Sequence, residues 1–445
     1  MERMRASGWL DRLGLHRPEL RAWAMYDWAN SAYWATVIQI FPFYFVRVVH
    51  AGQPASLANI RYSLATALAM VIISALSPVL GTIADYAGIK KKMLAASLAV
   101  GIPATALMVS IDRGDWVLAS LLYILGNIGV SASIVFYESL LPHIAGEDEI
   151  DRVSTAGFAM GYLGSAMLMA VNLLMIQRPH WFGLADAAAA TRVSFFSVAV
   201  WWLVFSLPLF RRVPEPPRRL EADEQPRENV LIVGFRRLRE TFQELRRYRQ
   251  AFLLLVAFLV YNDGISTMIR MGAAYAAEIG LEQGAAIGVL LLVQIVGIPF
   301  TFLFGMLAGR LGVKRSIFLG LGVYLVITLT GYYMKTIVHF MILAILVGMV
   351  MGGTQALSRS LFATMIPRHK SAEFFAFYGV FEKFAGIIGP AMFAAVIAAT
   401  GASRNAILGL DAFFILGGIL LAFVDVDLGR RAAREAEARA GVHAA

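Results

Sequence analysis

Cysteine is absent from the chain, which excludes a disulfide framework, a thiolate metal site and a cysteine nucleophile. Charge is scarce: Asp, Glu, Lys and Arg make up 16% of the residues, well short of the roughly one quarter usual for a soluble domain. Histidine is sparse too. All seven (His16, His50, His143, His180, His339, His369, His443) fall in connections, tails or the ends of apolar runs, so none offers a metal ligand or general base at mid-membrane depth. The patterns H-E-x-x-H, G-x-S-x-G and G-x-x-x-x-G-K-[ST] are missing as well. With them go the commonest zinc-hydrolase, serine-hydrolase and phosphate-cradling arrangements. The chain reads as no enzyme and calls for no cofactor and no metal. A pump driven directly by ATP would need the phosphate loop from a partner chain.

What is abundant is apolar surface: 59% of residues are hydrophobic and the mean hydropathy is +0.67. A helix needs roughly 20 residues to cross about 30 Å of hydrocarbon, and twelve segments qualify, at 22–46, 60–82, 93–111, 116–141, 154–176, 193–210, 250–276, 285–308, 315–334, 338–361, 373–399 and 404–424. The fold class is therefore an all-α membrane protein of twelve transmembrane helices. A net charge of +9 could point to nucleic acid, but the positions of the cations argue otherwise. If both termini are inside, only Arg47, Arg61, Arg113, Arg178, Arg192, Arg270, Lys335 and Arg404 fall on the outer connections and helix ends, and Lys383 lies within a span. The other Lys and Arg crowd the inner side. That asymmetry is the positive-inside signature of a bilayer protein with cytoplasmic termini, and it accounts for the basic balance with no nucleic-acid partner.

One turn is used twice. Gly81 to Lys91 (G-T-I-A-D-Y-A-G-I-K-K) and Gly305 to Arg315 (G-M-L-A-G-R-L-G-V-K-R) share the pattern G-x-x-A-x-x-x-G-[IV]-K-[KR], half a chain apart. Helix strings repeat at nearly the same offset: Gly161-Tyr162-Leu163-Gly164-Ser165-Ala166-Met167 returns as Gly386-Ile387-Ile388-Gly389-Pro390-Ala391-Met392, and Pro142 returns as Pro367. Repeats of this length mean two like halves in series. The divisions expected are a basic lead-in (1–21), a first six-helix half (22–210), a Pro- and Arg-rich linker (211–249) that turns helical from about Val230, a second half (250–424) and a short tail (425–445) with no assigned chemistry. In the turns, glycines let helix ends approach, and the clustered cations suit anionic head groups. Gly81, Asp85, Gly88, Lys90 and Lys91, with Gly305, Arg310, Gly312 and Lys314, are the candidate gate.

Polar residues inside spans are few, and each asks for a reason. In the first span Asp27, Asn30 and Trp34 fall at i, i+3 and i+7 of one helical face. Asp27 reads equally as a substrate or proton site and as a paired gate residue near the inner end. Asn127 in the fourth span reads as a helix-to-helix hydrogen-bonding group. In the seventh span Asn262 and Asp263 echo the first cluster, with Asp263 close to the midplane and Arg270 seven residues on; Gln294, Gln355 and Arg359 complete the candidates. Such a layout, sparse polar groups at the front of two like halves, is that of a secondary transporter taking a small-molecule substrate.

The repeated turn resembles the inter-helix signature of the major facilitator superfamily, G-x-x-x-D-x-x-G-R-[KR]. Two positions depart from it: Ile89 occupies an arginine position and Gly309 stands where Asp85 stands in the first copy. Ala22 to Ser31, Tyr261-Asn262-Asp263-Gly264, Arg270-Met271, Ala277 to Leu281 and Ala356 to Phe362 are similar to the vacuolar effluxer branch of that superfamily, which includes the autophagy-related fungal amino-acid exporter and its bacterial relatives. The resemblance covers nearly the whole chain. It implies the major facilitator fold in a bacterial inner membrane, alternating access, and export of neutral amino acids. A carboxylate would then face a zwitterion's ammonium and an arginine its carboxylate, with Asp263 alternatively taking up a coupling proton. Asp85 would face the positive end of a neighbouring helix and the turn lysines would face lipid head groups. Sugars, drugs or organic anions remain open as cargo, as does a receptor or scaffold that kept the bundle without transport. No motif sets an oligomeric state.

Overall fold

The computed structural model describes residue 10 and residues 13–53, 55–217, 248–278, 283–385, 388–400 and 403–439. Among these, helices dominate and no strand occurs. The first half comprises α1 (Pro18–Val49), α2 (Ala55–Ala87), α3 (Lys90–Leu107), α4 (Trp116–Ile144), α5 (Ile150–Gln177) and α6 (Ala187–Arg212). The second comprises α7 (Arg249–Glu278), α8 (Gln283–Leu311), α9 (Val313–Tyr332), α10 (Ile337–Thr364), α11 (Ser371–Phe384), α12 (Ile388–Thr400), α13 (Ser403–Gly409) and α14 (Asp411–Ala422), followed by α15 (Val426–Arg439). The halves meet mainly along α5 with α8 and α10, and along α2 with α11. We call the end of the bundle at which α1 begins and α14 ends the base.

Several elements differ from the expected spans, for identifiable reasons. Pro18 and Glu19 open α1 itself rather than a separate surface stretch, because proline at the first helical position lacks only a hydrogen bond that no helix makes there. Within α1 the turns Tyr33–Val37 and Phe45–Val49 widen to π-helix. The second follows Pro42, which has no N–H to give. Eleven helices among the described residues are each long and apolar enough to cross a membrane, and the span expected at 373–399 is described as two shorter helices. It breaks after Phe384, where Ala385 turns extended (φ −61°, ψ 123°). Pro390, which cannot bond back to the carbonyl four residues earlier, stands just beyond. The helical linker expected from about Val230 lies outside the described residues.

The repeated turn is the joint between α2 and α3 and again between α8 and α9. Gly88 and Gly312 hold positive φ, 62° and 86°, a backbone setting that favours glycine. Gly81 and Gly305 do a different job, at the seam between halves. A methyl group on Gly81 would sit 2.5 Å from the Ala372 carbonyl oxygen of α11, and one on Gly305 would collide with Thr155 of α5. Only a bare backbone allows the two halves to close this tightly.

Candidate functional site

The site begins with depth. Asp27 lies about two and a half turns into α1, Glu138 under two turns from the end of α4, Ser154 one turn into α5 and Arg359 just over one turn from the end of α10. All four therefore reach one layer above the base. There the Arg359 guanidinium, 2% exposed, crosses from the second half into the first. Its Nη1 lies 3.4 Å from Asp27 Oδ2 and 3.6 Å from Glu138 Oε1. Nε donates to Ser154 Oγ and Nη2 to the Ser154 carbonyl, both at 2.9 Å, while Ser154 Oγ donates back to the Ala356 carbonyl at 2.8 Å. Tyr137 donates its hydroxyl to Asp27 Oδ2 at 2.8 Å. Trp23 stacks on Tyr137 with centroids 4.5 Å apart and donates Nε1 to the Tyr137 carbonyl at 3.0 Å. The guanidinium carbon stands 5.0 Å from the Trp23 ring centroid and 4.4 Å from that of Phe158, within cation–π range. Gly157 makes room for all this: a Cβ there would sit 2.6 Å from Asp27 Oδ2.

A second polar knot lies nearer the base. Asp85 and Lys90, both buried, pair at 2.7 Å. Lys90 also donates to Ser371 Oγ at 2.6 Å and to His143 Nε2 at 2.9 Å. Asp85 Oδ2 accepts the Glu373 N–H at 2.8 Å, so a carboxylate of one half sits on the N-terminal turn of a helix of the other, where backbone donors and the helix dipole favour negative charge. The turn lysines do not reach toward head groups. Lys90 is 3% exposed, and Lys91 Nζ donates to the Phe210 and Val213 carbonyls at the end of α6. In the second copy, with Gly309 in the aspartate position, Lys314 has no such carboxylate in its turn. It caps the end of α14 instead, donating to the Ala422 and Val424 carbonyls at 2.8 and 2.7 Å. Arg310 is exposed.

The remaining candidates are spread along the bundle. Gln355 donates to Asn262 Oδ1 at 3.4 Å within the second half. Gln294 joins the halves at mid-depth, accepting from Ser165 Oγ at 2.6 Å. Asp263, 2% exposed, accepts the Gly389 N–H at 2.8 Å and so holds the start of α12 at the break in the eleventh span. Asn30 is buried and donates to the Tyr26 carbonyl of its own helix. Trp34, 38% exposed, does not join Asp27, because the wide turn from Tyr33 disturbs the 3.6-residue period on which the two shared a face. The side chain of Arg270 lies outside the described residues. Asn127 donates to Tyr33 Oη at 3.3 Å, a helix-to-helix bond. Glu138, Tyr137, Trp23 and Ser154 are the members of the Arg359 layer that the sequence reading left out. The signal for Glu138 was its depth, which matches that of Asp27 and Arg359.

At the base, α15 lies across both halves. Arg434 holds Glu147 of the first half through two hydrogen bonds, at 3.1 and 2.5 Å, and Glu437 accepts the Arg368 N–H at 2.8 Å. The bond to Arg434 holds the Glu147 carboxyl below the usual carboxylate range.

Two pseudo-symmetric six-helix halves with the polar layer at their seam make this a transporter of the major facilitator fold. Solved structures of that fold align along nearly the whole chain. The proton:xylose symporter XylE matches with a TM-score of 0.66 at 15% identity over 95% of this chain and 97% of that one. FucP in its outward conformation gives 0.66 at 13% over 93% and 99%. Residues 53–434 match the family described as vacuole effluxer Atg22 like. The uncharacterized MFS-type transporter YxiO of Bacillus subtilis is 35% identical over 407 residues, 91% of this chain and 94% of that protein. Autophagy-related protein 22-1 of Penicillium rubens is 24% identical over 462 residues, 85% and 76% of the two chains. The chain belongs to the Atg22-like effluxer family, and it is a multi-pass integral membrane protein.

Proposed function

We propose that the protein works by alternating access and exports small neutral amino acids, with both termini on the cytoplasmic side of a bacterial inner membrane. The observation that carries the reading is where the halves are tied. The Arg359 layer, the Asp85–Lys90 knot and the α15 crossing all lie at or just above the base, while at mid-depth, among the described residues, Gln294 ties the halves by accepting from Ser165 Oγ and donating to Met169 Sδ. Hydrogen bonds and ion pairs that replace one another can break and re-form on rocking, whereas a fully apolar seam offers no exchange partner when water enters. The base is therefore a closed gate, with Asp85, Lys90, Gly81 and Gly305 as its parts. Asn262, Gln355 and Gln294 supply neutral polar groups further along the path, suited to an uncharged or zwitterionic cargo. Asp263 would act on α12: protonation would remove the charge that holds the Gly389 N–H, giving a coupling proton a means of moving that helix.

Export of amino acids rests on family membership and on paired opposite charges at the seam. The test is counterflow in proteoliposomes, with vesicles preloaded with one unlabelled neutral amino acid and the labelled one outside. Transient accumulation is the expected result, abolished in Arg359→Lys, whose point charge cannot reproduce the guanidinium fork. Flat traces for every amino acid from folded protein, with accumulation of a sugar or organic anion instead, would overturn the cargo.

A further inference from the structure

The Arg359 layer is divided unequally between the halves. Asp27 and Trp23 belong to α1, Tyr137 and Glu138 to α4, and Ser154 and Phe158 to α5, all in the first half. Arg359 is the one cation among them and comes from α10 of the second. When the base opens, the guanidinium leaves with its own half. What stays behind is a set of two carboxylates, a tyrosine hydroxyl and two aromatic faces, with the Ser154 carbonyl turned toward the same point. The Asp27 carboxylate, deep in the bundle, is costly to leave without a positive partner. We propose that this vacated pocket is the binding site for the ammonium group of the cargo, and that Arg359 is its tethered stand-in when the base is closed.

The proposal rests on the amino-acid reading above and assigns its cation subsite. The closed structure shows the geometry such a guest would find. A positive group fits between Asp27 Oδ2 and Glu138 Oε1, accepts no proton, donates to Ser154, and is walled by Trp23 and Phe158 at 5.0 and 4.4 Å. An ammonium has three donors for these acceptors and the positive charge the rings attract. Freed Arg359 then faces the same gap from the second half and suits the cargo's carboxylate, which it can hold with two parallel bonds. Ammonium and guanidinium compete for one pocket. Cargo binding and basal closure through Arg359 therefore exclude each other at this layer, which gives the carrier a reason to open in order to load and to release in order to close.

The test uses three probes on the full-length protein: leucinamide, a cation without a carboxylate; N-acetylleucine, an anion without an ammonium; and leucine. Binding is read by calorimetry. Arg359→Gln empties the pocket of its tethered cation, and leucinamide is expected to bind it about tenfold or more tightly than it binds the unaltered protein, since no fraction of the pocket is then self-occupied. N-acetylleucine should gain nothing, and adding Asp27→Asn should remove the gain. Saturable N-acetylleucine binding equal to that of leucinamide, or no leucinamide binding to folded Arg359→Gln, overturns the proposal. Should Arg359→Gln fail to fold, Asp27→Asn and Glu138→Gln each decide the matter in the otherwise unaltered chain. Lost leucinamide binding in both supports the site, and unchanged binding in either overturns it. Leucine counterflow blocked equally by N-acetylleucine and leucinamide sinks the cation pocket alone, whereas absent counterflow with intact leucinamide binding sinks the amino-acid reading alone.

Discussion

Asp85 and Lys90 show what a single residue is asked to do here. Each is buried, so removing one leaves the other's charge in a medium that solvates it poorly. Asp85→Asn or Lys90→Met is expected to cost about 3–5 kcal/mol, and the double substitution less than the sum of the two. Detergent unfolding of the four proteins as a double-mutant cycle measures the difference; additive losses would mean the pair is not coupled. Gly157 makes the same point through shape. Gly157→Ala places a methyl 2.6 Å from Asp27 Oδ2 and 3.3 Å from Arg359 Nη2. The expected result is a loss of about 1–3 kcal/mol through overpacking, and a drop in counterflow larger than that of Gly309→Ala, a position with open space around it. The polar residues of α1, α7 and α10 were legible because an ionisable group in an apolar run is conspicuous. Which of them meet was not legible: Asp27 and Arg359 are separated by most of the chain, and only the packing of α1, α4, α5 and α10 brings them together.

At the scale of elements, the repeated turn was readable as a joint because its glycines and cations sit at fixed offsets between long apolar runs. Gly312 holds φ +86° and ψ 149°, with nothing near enough to obstruct a side chain. Gly312→Ala should therefore report backbone strain alone, about 1–3 kcal/mol, seen as a lower Tm in detergent; an unchanged Tm would show that the turn relaxes freely. The roles of the lysines could not be read. Lys90 and Lys314 share a motif position, yet the presence of Asp85 draws one into an ion pair and its replacement by Gly309 leaves the other to cap α14. The break between α11 and α12 had a sequence mark in Gly389-Pro390, but small residues equally serve close helix contact, and Asp263 on the start of α12 decides between the two. In the sequence α15 reads only as a charged tail. Its partners, Glu147 and Arg368, lie in two distant loops.

At the scale of the whole molecule, α15 is a strap whose hold on the first half depends on an ionised Glu147. Because Arg434 lowers that carboxyl's pKa in the folded chain, the contact contributes fully above the ordinary carboxylate range and is lost as pH falls through the lowered value. Protection of the amides over residues 426–439, taken relative to their intrinsic exchange rates at each pH, should fall below about pH 4, and Arg434→Ala should show the same loss of protection at neutral pH. Identical protection at both pH values would deny the strap its charge dependence. The glycine seam makes the complementary prediction. The chain has no cysteine, so Ser139→Cys, buried beneath the closed base, reports opening without background. Adding Gly81→Ala, whose methyl would press on the Ala372 carbonyl, should raise maleimide labelling about tenfold if the closed form loses roughly 1.4 kcal/mol against the open one. Unchanged labelling would mean that the seam tolerates the methyl.

The sequence by itself determined the membrane-spanning, all-helical class and the repeat that marks two like halves, and its cations carry the expected sidedness. Each follows from length, composition or spacing, which are properties of neighbours along the chain. The tertiary structure alone decided which buried charges share a partner, that one lysine of the repeated turn pairs inward, and that the eleventh span is broken. It also placed a cation of the second half between carboxylates of the first. Those outcomes depend on desolvation: a charge in a low-dielectric interior takes whatever counter-charge packing delivers, and packing is set by helices far apart in the chain.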